Sequence, residues 1–102
     1  MNNRLRTIKN TLGENEVLCQ LAEESAEMGQ AALKLRRALD GTNPTPKSVE
    51  ECEKALIEEV ADVSACLMVL WGEDGLNKLR VSVETQRKLE RWAKRLGVEQ
   101  DA

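Results

Sequence analysis

A chain of 102 residues is one domain's worth of sequence; 41% hydrophobic residues with only six Gly and two Pro give it a helical, globular composition rather than a disordered one. Its net charge of −3 is segregated: residues 14–28 hold five acids and no base, residues 50–62 six acids and one base, and residues 76–96 seven bases against two acids. That pattern argues against uniform binding of a polyanion, and three cysteines without a CxxC spacing argue against a thiolate zinc site or a disulfide framework.

The opening "MNNRLRTIKNTLG" lacks an apolar core of signal-peptide type, and no apolar run reaches the length of a membrane span. A single cytoplasmic domain over residues 1–102, without a membrane partner, is the expectation. Periodicity predicts four helices and no strand. The first covers about residues 3–12 and ends at Gly13; the second runs over about residues 14–39 and stops at "DGTNPTP", where Gly41, Pro44 and Pro46 cannot continue it. Ser48 with Glu51 three residues on forms a capping box that opens the third helix, which ends near "WGEDG". The fourth is expected over about residues 76–96.

Within the second helix, Leu18, Leu21, Ser25, Met28, Ala32, Leu35 and Leu39 alternate spacings of three and four, a bundle seam. Glu24, whose seven-residue neighbours are Val17, Ala31 and Ala38, flanks that seam. In the third helix the stripe Cys52, Leu56, Glu59, Val63, Cys66, Leu70 contains a carboxylate. Asp62 lies between Ala55 and Val69 and is the single charge in residues 60–71. A helix this apolar on every side needs partners on every side, so an all-α four-helix bundle completed by homo-oligomerisation, as a dimer or larger even assembly, is expected.

The segments "LAEESAEM" from Leu21 and "LIEEVADV" from Leu56 match at Leu, Glu, Glu and Ala, with Glu27 answered by Asp62. If the second and third helices form an antiparallel hairpin around Asn43, Glu24 faces Asp62 and Glu27 faces Glu59. That level lies roughly 24 Å from the loop at 1.5 Å per residue. Like charges this close cost about 4 kcal/mol per pair at an effective dielectric near 20, which calls for protons or a cation. All-oxygen ligation selects Mg²⁺ or Mn²⁺, and a chain without histidine cannot supply the Glu-x-x-His pairs of di-iron bundles.

The motifs "EESAE" at Glu23 to Glu27 and "EEVAD" at Glu58 to Asp62 resemble the paired ExxE and ExxD motifs of the MazG-like all-α nucleotide pyrophosphohydrolases, a likeness covering about residues 14–96. The resemblance implies Mg²⁺-dependent conversion of a nucleoside triphosphate, (d)NTP, to (d)NMP and pyrophosphate. It implies Glu24, Glu27, Glu59 and Asp62 as metal ligands, and Glu23 as the acid that helps activate water. "QRKLERW" at Gln86 to Trp92 is similar to the family's N-x-K-[FL]-x-R segment, with Gln86 in place of Asn, and implies that Lys88 and Arg91 meet substrate phosphates. The alternative for these two is a solvated basic face, since Lys78, Arg80, Arg87, Lys94 and Arg95 share that helix, and Trp71 and Trp92, at a helix end and on a seam, are more readily core residues than base-stacking platforms. The competing function is a non-catalytic dimeric helical module that binds a metal or a protein. A nucleic-acid partner is disfavoured by an acidic chain without a groove-reading motif, and the absence of a glycine-rich phosphate loop excludes a P-loop NTPase.

Overall fold

In the computed structural model, residues 2–41, 47–75 and 81–98 are described, and they form four helices and no strand. They are α1 (Asn3–Leu12), α2 (Glu14–Asp40), α3 (Val49–Trp71) and α4 (Val81–Leu96). The expected turn around Asn43 and the first residues of the expected fourth helix, 76–80, lie outside the described residues.

Each boundary has a local cause. Asn2 caps α1, its Oδ1 accepting from the Leu5 backbone N–H at 2.9 Å. Gly41 ends α2 in the left-handed region, φ 66°, and donates its N–H to the Arg37 carbonyl at 2.9 Å. The capping box at the start of α3 forms as expected: Glu51 N–H donates to Ser48 Oγ and Ser48 N–H to Glu51 Oε1, both at 3.1 Å. These bonds hold the Glu51 carboxyl below its ordinary pKa, helped by the charge of Lys47.

The packing in one chain is a three-helix affair: α2 and α3 run against each other along their length, and α1 closes over one end of the pair. Leu5 of α1, Val17 of α2, and Val69 and Leu70 of α3 form the buried cluster at that end, with Leu21 and Met68 against it. Lys9 of α1 donates to the Leu70 carbonyl at 2.9 Å, satisfying an orphan acceptor in the last turn of α3, which has no basic residue of its own.

The α3 stripe is as its spacing predicts, with Cys52, Cys66 and Leu70 buried and Leu56, Glu59 and Val63 half-buried. The α2 seam is displaced by one column. Val17 and Ala31 are buried, Leu21, Glu24, Met28, Leu35 and Ala38 half-buried, whereas Leu18, Ser25, Ala32 and Leu39 are exposed. Glu24 therefore does not flank the seam; it sits in it.

Helix α4 touches none of the other three. It buries no residue, and Leu89, Trp92 and Leu96, at i, i+3 and i+7, present an uncovered apolar face. Ile57, Val60 and Trp71 of α3 are also exposed. The radius of gyration, 17.2 Å, exceeds the roughly 13 Å of a compact domain of this length. No helix among the described residues is long and apolar enough to cross a membrane.

Candidate metal centre

Glu24 and Glu27 lie one turn apart on α2, and Glu59 on the facing surface of α3. One carboxylate oxygen of each lies within 4.8 Å of the other two, close enough to share an ion. The three arrive there because α2 and α3 place i, i+3 carboxylates at the same height along a common seam. This is the Glu27–Glu59 pairing that antiparallel register predicts.

The environment is half sheltered. Glu24 Oε2 and Glu59 Oε2 have no exposed surface to speak of and no hydrogen-bond partner. Buried acceptors in that condition are rare and call for a proton or a cation. Gln20 Nε2 donates to Glu24 Oε1 at 2.9 Å, which by itself pulls the carboxyl pKa down. Burial, the charges of Glu27 and Asp62, and a carboxyl contact with Glu27 together outweigh it and raise Glu24 above the ordinary carboxylate range.

Asp62 is exposed and stands outside the tight trio, yet near enough for its charge to act on Glu24 and on Cys66. The Cys66 thiol pKa is pushed up by burial and then by the charges of Glu24 and Asp62. All three cysteines are free. Glu23 is exposed beside Glu24.

Lys88 and Arg91 are not brought to the carboxylates within one chain. They are exposed on α4, which contacts none of α1–α3, and their neighbour Arg87 is held by Glu84 of the same helix at 2.9 Å. Trp92 is exposed on that helix too, and Trp71 is half exposed at the end of α3.

Two basic residues that sequence reasoning passed over do adjoin the cluster. A groove of about 350 Å³ between α2 and α3 is lined by Glu27, Gln30 and Lys34 from α2, by Cys52 and Glu59 from α3, and by Lys47 just before the α3 cap. The available signal was the spacing: Glu27, Gln30 and Lys34 follow one another at three and four residues, on one face of α2.

Comparison with protein-family models, with curated proteins and with solved structures finds no match to this chain. The site must be read from its own residues. A trio of oxygen donors, two with orphaned buried atoms, and no nitrogen or thiolate donor in the trio, fits a hard divalent cation such as Mg²⁺ or Mn²⁺.

Proposed function

We propose that this chain is a Mg²⁺-dependent nucleoside triphosphate pyrophosphohydrolase of the MazG-like kind, converting (d)NTP to (d)NMP and pyrophosphate. The observation that carries the proposal is the convergence of Glu24, Glu27 and Glu59, with two unpartnered buried oxygens, at the end of a groove whose other lining includes lysines. Mg²⁺, when bound, would supply charge neutralisation at the phosphoryl oxygens and a water of lowered pKa.

The chain's own residues divide the remaining tasks. Glu24, Glu27 and Glu59 hold the cation, with Asp62 as the fourth carboxylate, one α3 turn from Glu59. Glu23, exposed and next to Glu24 in the chain, is assigned the task of accepting a proton from water attacking the α-phosphorus. Pyrophosphate is then the leaving group. The uncovered faces of α3 and α4 belong, in this proposal, to a homodimer or larger even assembly that completes the bundle. The free thiols suit the reducing cytoplasm.

A second reading, a non-catalytic metal-binding module, draws on the separation of Lys88 and Arg91 from the carboxylates. A panel of (d)NTPs with Mg²⁺, assayed for pyrophosphate against orthophosphate, decides between them. Pyrophosphate release with at least one nucleotide supports the enzyme. Metal binding without any turnover supports the module.

A further inference from the structure

The groove beside the carboxylates changes sign along its length. Glu27 and Glu59 line one part of it and Lys34 and Lys47 another, with the Gln30 side chain between Glu27 and Lys34 on α2 and the buried Cys52 on the α3 wall. Along α2, seven residues separate Glu27 from Lys34, or about 10 Å of helix axis at 1.5 Å per residue. Along α3 the chain runs the other way, from Lys47 through the Ser48 cap and Cys52 to Glu59, so the two lysines come from both walls of the same cleft.

A bare anion is repelled at the carboxylate end, and a bare cation at the lysine end. The ligand that suits both is an extended polyanion with a divalent ion chelated at one end and free oxygens at the other. An ammonium group can donate to such oxygens, and charge-assisted bonds of this kind are the stronger ones. Lys34 is exposed and Lys47 sits beside Glu51, whose Oε1 accepts from the Ser48 N–H in the capping box. Lys34 and Lys47 thus reach the groove from within a single chain, where Lys88 and Arg91 do not.

We infer that Lys34 and Lys47 form the phosphate-binding end of this groove and hold the distal phosphates of a metal-chelated triphosphate chain. The inference rests on the proposed metal centre and names how the substrate lies in it: reacting phosphorus toward Glu27 and Glu59, departing pyrophosphate toward the lysines.

The test uses inorganic tripolyphosphate with Mg²⁺ as the probe, titrated calorimetrically into the full chain, alongside Mn²⁺ binding followed by electron paramagnetic resonance. Lys34→Ala and Lys47→Ala should each weaken tripolyphosphate binding by about tenfold to a hundredfold, the range for losing a charge-assisted contact. Lys34→Arg should recover part of the loss, Lys94→Ala should bind as the unaltered chain does, and Mn²⁺ affinity should hold throughout. Circular dichroism checks that each variant stays helical. Wild-type affinity in both lysine variants, an equal loss in Lys94→Ala, or no binding of tripolyphosphate to the unaltered chain overturns the inference. Nucleotide turnover separates the two claims. Tripolyphosphate binding lost in the lysine variants of a chain that hydrolyses no nucleotide supports the phosphate site and contradicts the enzyme, whereas turnover indifferent to both lysines does the reverse.

Discussion

Glu27 of α2 and Glu59 of α3 face one another across the groove between the two helices, each with an oxygen within 4.8 Å of the other and of Glu24. Three carboxylates this close oppose one another when all are ionised, and nothing among the described residues bonds Glu24 Oε2 or Glu59 Oε2. A divalent ion removes both problems at once. Mg²⁺ or Mn²⁺ should therefore raise the melting temperature, by the equivalent of about 2.7 kcal/mol at a hundredfold excess over Kd. Calorimetric melting of the chain with and without chelator measures it, and Glu59→Gln should remove most of the response.

The raised pKa of Glu24 sets a pH dependence for the metal-free protein. A carboxyl whose pKa is higher folded than unfolded binds more protons in the folded state, so stability is greatest below the ordinary carboxylate pKa and declines as pH rises through the folded value. Gln20 opposes that rise from α2 itself; burial, Glu27 and, from α3, Asp62 produce it. Glu24→Gln should flatten this decline in urea titrations between acid and neutral pH. Metal affinity should follow the opposite course, strengthening as Glu24 ionises.

Much of this site was legible in the sequence, and the part that was not has a definite cause. The repeated Glu-Glu-x-Ala motif and the antiparallel register locate Glu24, Glu27 and Glu59, because helical rise and side-chain period are fixed by the backbone. The α2 seam was misplaced because both adjacent columns are apolar: Leu18, Ala32 and Leu39 compete with Val17, Ala31 and Ala38. Pattern alone favours the column with Ser25 over the one with Glu24, whereas the folded chain accepts the charge in the seam. Lys34 shares a helical spacing with Glu27 and Gln30, but that Lys47 joins it follows from a groove built by two helices and a cap together, which no spacing within one element reveals. Lys88 and Arg91 came from a family likeness, and α4 does not carry them to the carboxylates in one chain.

The capping box should be measurable by itself. Ser48→Ala removes the acceptor of the Glu51 N–H and should lower stability by about 1 kcal/mol, a fall in Tm of roughly 4–8 °C for a domain of this size. The box is also pH-sensitive in the direction opposite to Glu24. The depressed Glu51 pKa contributes stability above the ordinary carboxylate range that is lost as pH falls through the folded value. Thermal melts of Ser48→Ala and Glu51→Gln against pH check both statements.

An amphipathic helix of sixteen residues that buries nothing is marginal in water without a partner. Trp92 at 57% exposure and Leu96 at 67% give α4 an apolar face that a second copy of the chain can cover. Sedimentation at micromolar concentration should show a dimer or a larger even assembly, and Leu89→Asp should shift it toward monomer with loss of helical signal. A helical monomer in the unaltered chain would remove oligomerisation from the account.

Single-turnover hydrolysis in ¹⁸O-labelled water tests the enzymatic claim most directly, read by mass spectrometry of both products from the (d)NTP that turns over fastest with Mg²⁺. Attack at the α-phosphorus, supported by the Glu24, Glu27 and Glu59 centre, predicts the label in the nucleoside monophosphate and none in pyrophosphate, with the reaction abolished by Glu59→Gln. Label in orthophosphate, with a nucleoside diphosphate as the other product, or an undiminished reaction in Glu59→Gln, would contradict it.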